Sequence, residues 1–295
     1  MKVLICAGGT GGHIMPAVAI AHAIQDALPE AGILFVGTDR GMEERIARRE
    51  CIDFIAIKAL GIKGKSFGHG IKAAAVNIRA FITALKIVKA FNPTWVIGCG
   101  GYITGMVVLA GYMLGCRCAI QEQNSVAGLT NRLLSHIAHR IFLAFPDTLE
   151  TFARHKCVLA GNPVRKEIHA SVQNTDRKNI LILGGSLGAS SINRACVEAM
   201  KILKDQGIVP EIIHQTGSAD FTRVTKAYED IGLAANVHDF MDDMALAYRN
   251  SCMAVCRCGG LTLSELSRTA LPAIMIPYPH ATDNHQMKNA LYVAS

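Results

Sequence analysis

The sequence predicts an α/β protein made of two doubly wound, Rossmann-like domains. Three observations predict it: short apolar runs alternate with helix-like stretches, a glycine-rich turn follows the first apolar run of each half, and the alternation breaks near Asn162-Pro163. Such alternation is typical of a parallel sheet covered on both faces. We expect domains at residues 1–163 and 164–295 that face a common cleft, because ligands of these sheets bind beyond the carboxyl ends of the strands.

The apolar runs locate the strands. In the first half they cover residues 3–7, 33–36, 54–57, 94–97, 118–121, 141–144 and 158–160. In the second half they cover residues 179–183, 211–215, 237–240, 253–256 and 273–276. Helices are expected between them, including 17–28, 71–90 and 104–114, and Pro16 suits a first helical turn. Residues 284–295 show no C-cap and no closing strand, so we expect a C-terminally truncated second domain.

The composition excludes several classes of protein. Of 295 residues, 51% are hydrophobic and 18% charged, which favours a large core over disorder. Residues 90–116 carry no charge and are long enough to span a bilayer, but Pro93 and repeated glycines divide them into strand, turn and buried helix. The scattered cysteines indicate a reducing cytoplasm, and the spacing of Cys252, Cys256 and Cys258 does not match a zinc site. The apolar run at the N-terminus is too short for a secretory signal.

Positive charge is concentrated between Asp53 and Glu122. The chain has a formal net charge of +7, and this interval contains no acidic residue. On the predicted helix 71–90, a basic stripe recurs every seven residues at Lys72, Arg79 and Lys86. The apolar side predicted opposite it consists of Ile71, Ala75, Ile78, Ile82 and Leu85. The stripe is either a solvated helix face or a docking surface for an anionic membrane. No nucleic-acid partner is expected, because no recognised binding module accompanies it.

The first glycine-rich turn, residues 8–13, connects a strand to a helix. Its bare amides and the following helix N-terminus predict a phosphate cradle. It lacks the lysine of a Walker loop, and it matches a dinucleotide fingerprint poorly because the nearest candidate for the ribose acid, Asp39, comes late. A histidine at the mouth of this turn, His13, is a candidate general base. The alternative is that His13 only caps the loop.

A second candidate site starts at the strand 253–256 and continues through residues 257–265. The amides of residues 260–263 are placed to hold a diphosphate, and Glu265 is placed to accept hydrogen bonds from a ribose. The competing interpretation of Glu265 is a capping box with Thr262 as the N-cap. No D-x-D motif is present, so we expect no metal or other cofactor. A leaving diphosphate would then be stabilised by amides, helix dipoles and Arg165.

Six motifs between residues 7 and 290 occur in the order found in one enzyme family. They are Gly8-Gly9-Thr10-Gly11-Gly12-His13, Glu122-Gln123-Asn124, Gly161-Asn162-Pro163-Val164-Arg165, Gly184-Gly185-Ser186-x-Gly188-Ala189, Arg257-x-Gly259-x-Leu261-Thr262-x-x-Glu265 and His285-Gln286-x-x-Asn289-Ala290. In this ordered set the chain closely resembles the MurG family of peptidoglycan N-acetylglucosaminyltransferases. The resemblance covers essentially the whole chain.

The resemblance implies a GT-B fold and an inverting, metal-independent reaction. N-acetylglucosamine would pass from UDP-GlcNAc to the C4 hydroxyl of the muramoyl sugar of lipid I, forming lipid II for the cell wall. It also implies a peripheral protein on the cytoplasmic face of the cell membrane, with an N-terminal domain that docks on the anionic surface. Other cell-wall synthesis or division proteins are candidate partners.

The resemblance also implies roles for individual residues. His13 would deprotonate or hold the acceptor hydroxyl, and Glu122 is an alternative base. Donor-binding positions implied by the matching motifs are Thr10, Gly11, Gly12, Asn124, Arg165, Ser186, Met241, Gly260, Leu261, Thr262, Leu263, Ser264, Glu265 and Gln286. Two further functions stay open at this point: a UDP-sugar epimerase of similar architecture, and an inactive nucleotide-binding fragment.

Overall fold

The computed structural model describes residues 1–39, 41–60, 67–169 and 177–295, with the backbone alone for 67–75 and 169. The chain divides into two compact units, Met1–Pro163 and Val164–Ser295. Each unit is a parallel sheet covered by helices, as the alternating pattern predicts. We describe the two units separately.

The N-terminal unit contains a seven-stranded parallel sheet in the order β3-β2-β1-β4-β5-β6-β7. Its strands are β1 (Lys2–Cys6), β2 (Gly32–Thr38), β3 (Asp53–Ile57), β4 (Trp95–Gly98), β5 (Arg117–Glu122), β6 (Arg140–Leu143) and β7 (Cys157–Leu159). Its helices are α1 (Gly11–Ala27), α2 (Glu43–Arg49), α3 (Phe67–Phe91), α4 (Tyr102–Met113) and α5 (Leu129–Leu134). Every strand predicted from the apolar runs of this half is confirmed.

The C-terminal unit contains a five-stranded parallel sheet in the order β10-β9-β8-β11-β12. Its strands are β8 (Asn179–Leu183), β9 (Glu211–Gln215), β10 (Ala235–His238), β11 (Ser251–Cys256) and β12 (Ala273–Met275). Its helices are α6 (Lys166–His169), α7 (Ser190–Asp205), α8 (Phe221–Asp230), α9 (Met244–Asn250), α10 (Gly260–Thr269) and α11 (His285–Ala294). Both sheets therefore have the doubly wound order, in which the chain changes direction beside the first strand.

The predicted start of α1, at residue 17, is six residues too late. The helix begins at Gly11, after Thr10 in an extended conformation, so Pro16 lies inside the helix and not in its first turn. Because glycine is a poor helix former, a prediction from local helix propensity excludes Gly11 and Gly12 and starts the helix too late. In the folded unit the turn packs against the loop after β4, where the Gly8 N–H donates to the Gly100 carbonyl at 3.2 Å.

The predicted apolar side of α3 is also wrong in part. Ile78 is 62% exposed and Ile82 is 47% exposed, whereas Ala80, Ala84 and Val88 are buried. These residues face the core because their side chains are short enough for α3 to pack closely against the sheet and α4. The side chains of Lys72, Ile71 and Ala75, which belong to the same prediction, lie outside the described residues.

Residues 90–116 form the end of α3, strand β4, a glycine loop and most of α4. The division of this uncharged stretch into a strand, a glycine loop and a helix is thus confirmed, but the helix is only partly buried, because Leu109, Tyr112 and Met113 are exposed. Among the described residues, no helix combines the length and the apolar character needed to cross a bilayer.

Candidate active site

The first glycine turn uses two of its amides inside the fold. The Gly8 N–H donates to the Gly100 carbonyl, and the Gly9 N–H donates to Oε1 of Glu43 at 3.0 Å. The N–H groups of Gly11 and Gly12, in the first turn of α1, have no acceptor among the described residues. The anion-binding capacity of this turn is therefore confined to the helix start, where the helix dipole adds to it.

Glu43 anchors this turn and was not singled out from the sequence. Its side chain is fully buried, and its Oε1 accepts from the Thr38 hydroxyl at 2.9 Å as well as from Gly9. A Cβ atom at Gly37 would lie 2.8 Å from the Cβ of Glu43, and one at Gly41 would overlap its carboxylate. The two glycines therefore make room for Glu43, and they were the only sequence signal for it.

His13 is held by a glutamine from the loop after β5. Its Nδ1 lies 3.2 Å from Oε1 of Gln123. The Gln123 amide nitrogen donates to the Cys99 carbonyl at 2.6 Å and to the Gln121 side chain. Because that nitrogen already points at carbonyl oxygens, the amide oxygen must face His13. When the ring is neutral, this contact favours the tautomer with the proton on Nδ1 and the lone pair on Nε2.

A chain of amides continues from this pair to the end of the unit. The Gln121 amide donates to Oδ1 of Asn162 at 3.0 Å, and the Asn162 amide donates to the Gln123 carbonyl at 3.0 Å. Asn162, from the motif at residues 161–165, therefore contacts the motif at residues 121–124 within the N-terminal unit. Gln123 contacts His13 directly, and Asn162 contacts the backbone of Gln123.

The carboxylate of Glu122 is buried and fully hydrogen-bonded within the protein, whereas a catalytic base must reach its substrate. Glu122 is 2% exposed. Its Oε1 accepts from the Asn124 N–H at 3.1 Å, and its Oε2 accepts from the Gly128 N–H at 3.0 Å and the Asn131 amide at 2.8 Å. Both carboxylate oxygens thus hold the loop that carries Asn124. This occupancy argues against Glu122 as the base and favours His13.

In the C-terminal unit, the turn after β8 is tied to the loop after β10. Ser186 lies in a β-turn closed by the Gly188 N–H and the Gly185 carbonyl at 3.0 Å. Gln215, at the end of β9, donates to the Gly185 carbonyl at 3.0 Å and accepts from the Met241 N–H at 2.8 Å. Gln215, which the sequence did not reveal, therefore fixes two of the expected donor positions relative to each other.

The first turn of α10 presents three amides. The N-cap is Gly259, so Thr262 is not the N-cap and the capping-box interpretation of Glu265 is wrong. The Leu263 N–H donates to the Gly259 carbonyl at 3.1 Å, and its side chain is buried in the core. The first N–H groups of a helix have no acceptor within the helix. In α10 these are the N–H groups of Gly260, Leu261 and Thr262. The Ser264 hydroxyl donates back to the Gly260 carbonyl at 2.9 Å.

Glu265 forms a buried cluster with Arg165 and Tyr248. Its Oε1 lies 3.4 Å from Nη2 of Arg165, and its Oε2 accepts from the Tyr248 hydroxyl at 2.9 Å. Burial raises the pKa of Glu265, while Arg165 and the Tyr248 hydrogen bond lower it. Nε of Arg165 is buried and has no hydrogen-bond partner among the described residues. Sequence motifs identified Arg165 and Glu265 but gave no signal for Tyr248.

Helix α11 holds the loop that precedes α10. Oε1 of Gln286 accepts from the Cys258 N–H at 3.3 Å and the Tyr278 N–H at 2.9 Å. The amide of Asn289 donates to the Cys258 carbonyl at 3.0 Å. The motif at residues 285–290 therefore positions the amides of α10, in addition to any direct contact that Gln286 makes with a ligand.

Two family models match this chain. The glycosyltransferase family 28 N-terminal domain matches residues 3–143, and the glycosyltransferase family 28 C-terminal domain matches residues 179–295. They correspond to the two sheets described above.

Curated relatives extend this similarity along the chain. A protein of Myxococcus xanthus is 40% identical over 98% of this chain and 77% of its own length. A protein of Nitratidesulfovibrio vulgaris strain Hildenborough is 41% identical over 100% of this chain and 82% of its own length. Both are described as UDP-N-acetylglucosamine--N-acetylmuramyl-(pentapeptide) pyrophosphoryl-undecaprenol N-acetylglucosamine transferase.

Solved structures give the same result. The crystal structure of Acinetobacter baumannii MurG matches with a TM-score of 0.72 at 33% identity, covering 99% of this chain and 83% of that one. Together with the two parallel sheets, this confirms the GT-B fold. A UDP-GlcNAc 2-epimerase from Neisseria meningitidis matches with a TM-score of 0.63 at 15% identity, covering 93% of this chain and 82% of that one. At that identity the likeness concerns the fold alone, so nothing favours the epimerase alternative.

Proposed function

This chain belongs to glycosyltransferase family 28, and we propose that it transfers N-acetylglucosamine from UDP-GlcNAc to the C4 hydroxyl of the muramoyl sugar of lipid I, forming lipid II. The observation that carries this is the identity of about two residues in five, over nearly the whole chain, with transferases described by that reaction. The chain is therefore an N-acetylglucosaminyltransferase of peptidoglycan synthesis.

The donor binds to the C-terminal unit in this proposal. The amides of Gly260, Leu261 and Thr262 receive the diphosphate, because a helix start offers N–H groups and a positive dipole end. Arg165 adds a positive charge, and its Nε has no hydrogen-bond partner among the described residues. Glu265 accepts from the ribose hydroxyls. Further donor contacts are assigned to Ser186, Met241, Ser264 and Gln286, with Leu263 supporting α10 from the core.

The acceptor binds to the N-terminal unit. Thr10, Gly11 and Gly12 line the start of α1, whose unused amides suit the diphosphate of lipid I. These three residues and Asn124 are also assigned contacts with UDP-GlcNAc. Asn124 lies on the loop held by Glu122. His13 is the base, since its Nδ1 donates to Gln123 and its Nε2 carries the lone pair.

The reaction is a single in-line displacement at the anomeric carbon. Nε2 of His13 takes the proton of the C4 hydroxyl while that oxygen forms a bond to C1 of N-acetylglucosamine. The bond from C1 to the diphosphate oxygen breaks, and its electron pair leaves with UDP. The α10 amides and Arg165 stabilise the charge that develops on UDP. Because the hydroxyl attacks C1 from the side opposite the leaving UDP, the anomeric configuration inverts.

The same unit carries a surface suited to an anionic membrane. Helix α4 contacts both α3 and α5, so the three form one layer. The exposed large apolar side chains of this layer, among the residues whose side chains are described, are Ile78, Ile82, Tyr102, Leu109, Tyr112, Met113, Leu129 and Leu133. The exposed basic residues Arg79, Lys86 and Lys89 accompany them on α3. Apolar side chains flanked by cations favour the interface of anionic lipids. We therefore place the chain peripherally on the cytoplasmic face of the cell membrane.

Transfer of labelled N-acetylglucosamine from UDP-GlcNAc to a lipid I analogue tests the proposal directly. The expected product is a lipid-linked disaccharide, formed only when both substrates are present. A reaction with UDP-GlcNAc alone is the control. Appearance of an epimeric UDP-sugar in that control, with no disaccharide in the complete reaction, would overturn the transferase assignment.

A further inference from the structure

The hydroxyl of Tyr248 lies 2.9 Å from Oε2 of Glu265. Tyr248 is on α9, Glu265 is on α10, and Arg165 immediately precedes α6. These three helices contact one another, so the three side chains meet at one junction inside the C-terminal unit. Tyr248 is 1% exposed and Glu265 is 5% exposed.

Two side chains restrain the Glu265 carboxylate, one at each oxygen. Arg165 approaches Oε1 and Tyr248 approaches Oε2. The last torsion of a glutamate side chain is broad when nothing holds it. Donors on both oxygens fix the plane of the carboxylate. Each oxygen still has a lone pair, because a carboxylate offers about four acceptor positions.

In this cluster the pKa of Glu265 and the pKa of Tyr248 are both raised above their ordinary values. Burial raises the pKa of Glu265, and Arg165 and the Tyr248 hydrogen bond oppose that rise. Burial and the neighbouring Glu265 raise the pKa of Tyr248 well above its ordinary value. Tyr248 therefore stays a donor. Arg165 and the Tyr248 hydrogen bond favour the ionised form of Glu265 against the effect of burial, and a charged acceptor strengthens hydrogen bonds from hydroxyl groups.

We infer that Tyr248 is a positioning residue for the ribose of the donor: it orients the Glu265 carboxylate so that the remaining lone pairs accept from the ribose hydroxyls. The inference rests on the proposed function, in which Glu265 contacts that ribose. A purely structural role would instead make Glu265 the nearest acceptor for a buried hydroxyl. Such a role predicts lower stability without any effect that depends on the ribose.

Nucleotide binding to the whole chain separates the two roles. The probes are UDP and 2′,3′-dideoxyuridine diphosphate, which lacks both ribose hydroxyls, each titrated calorimetrically. Tyr248→Phe keeps the buried ring and removes the hydroxyl. We expect it to weaken UDP about tenfold, as for one lost hydrogen bond to a charged group, and to leave the dideoxy nucleotide unchanged. Glu265→Gln should show the same pattern, and the double variant should bind UDP no more weakly than Glu265→Gln.

Tyr228→Phe is the matched control. Tyr228 is another tyrosine of this unit that is 1% exposed, and its hydroxyl lies 3.0 Å from Nδ1 of His214. Its loss should lower the melting temperature and leave the ratio of UDP to dideoxy affinity unchanged. Equal weakening of both nucleotides by Tyr248→Phe, or unchanged UDP affinity, would overturn the inference. Unchanged UDP affinity in Glu265→Gln would instead reject the ribose contact on which the inference rests.

Discussion

The side-chain oxygen of Gln123 accepts a hydrogen bond from Nδ1 of His13 at 3.2 Å, across 110 positions of sequence. Gln123 is itself oriented by the Cys99 carbonyl, to which its amide nitrogen donates at 2.6 Å. The Cys99 carbonyl thus fixes the orientation of the Gln123 amide, and the amide oxygen favours the His13 tautomer that is protonated on Nδ1. This arrangement resembles the way that a carboxylate or carbonyl orients the histidine of other acid–base sites.

Replacing His13 tests its role as the base. His13→Ala should lower kcat with a lipid I analogue by about 10²- to 10⁴-fold, the usual contribution of one positioned base. UDP affinity, measured calorimetrically, should hardly change, because the donor binds to the C-terminal unit. Unimpaired turnover combined with lost UDP binding would contradict the assignment.

Replacing Gln123 tests whether the tautomer of His13 matters. Gln123→Met keeps the shape of the side chain and removes the acceptor, so we expect kcat to fall by about tenfold, as for the loss of one hydrogen bond that orients the base. The donor KM should stay close to that of the unaltered chain. Gln206→Met, at an exposed position after α7, is the control. A Gln123→Met variant as active as this control would remove Gln123 from the mechanism.

Charge reversal on α3 tests the membrane surface. Changing Lys72, Arg79 and Lys86 together to Glu should abolish most sedimentation with vesicles that contain phosphatidylglycerol, because each basic residue near an anionic surface contributes about 1 kcal/mol. Activity on a water-soluble acceptor should be retained. The matched control reverses two exposed basic residues of α7, Arg194 and Lys201. Equal vesicle binding by the α3 variant and the control would show that Lys72, Arg79 and Lys86 form only a solvated helix face.

His214 should make the C-terminal unit sensitive to acid. It is fully buried, with Tyr228 on Nδ1 and Asn193 on Nε2, and burial lowers its pKa from 6.5 to about 4. His214 therefore binds a proton more tightly in the unfolded chain than in the folded chain. Stability contributed by the neutral ring is complete above pH 6.5 and is lost as the pH falls toward 4. At about 1.4 kcal/mol per pH unit the loss approaches ~3 kcal/mol.

Hydrogen exchange of the β9 amides between pH 4 and 7 measures this loss. The free energy of opening should fall with acidification in the unaltered chain and change less in His214→Gln. Exchange must be corrected for its intrinsic pH dependence. Equal pH slopes in the two proteins would show that His214 does not carry the acid sensitivity.

Strand positions, domain order and most motif residues followed from the sequence alone. Apolar runs of strand length leave few alternatives when helices separate them, and each glycine turn marks the end of a first strand. The motifs at residues 121–124 and 161–165 could be identified as candidates without knowledge of their contact. Thus the fold and the composition of the site depended on local chemistry that the sequence displays.

Only the tertiary structure decided which groups complete that site and which surfaces remain outside. The Glu43 carboxylate reaches Gly9 across 34 positions, and the Tyr248 hydroxyl reaches Glu265 across 17, distances at which no helical or strand period relates two side chains. The exposure of Ile78 and Ile82 was likewise fixed by close packing of Ala80 and Ala84. Packing between elements depends on the side-chain volumes and the hydrogen-bond partners of the whole unit. Neither can be derived from a single stretch of sequence.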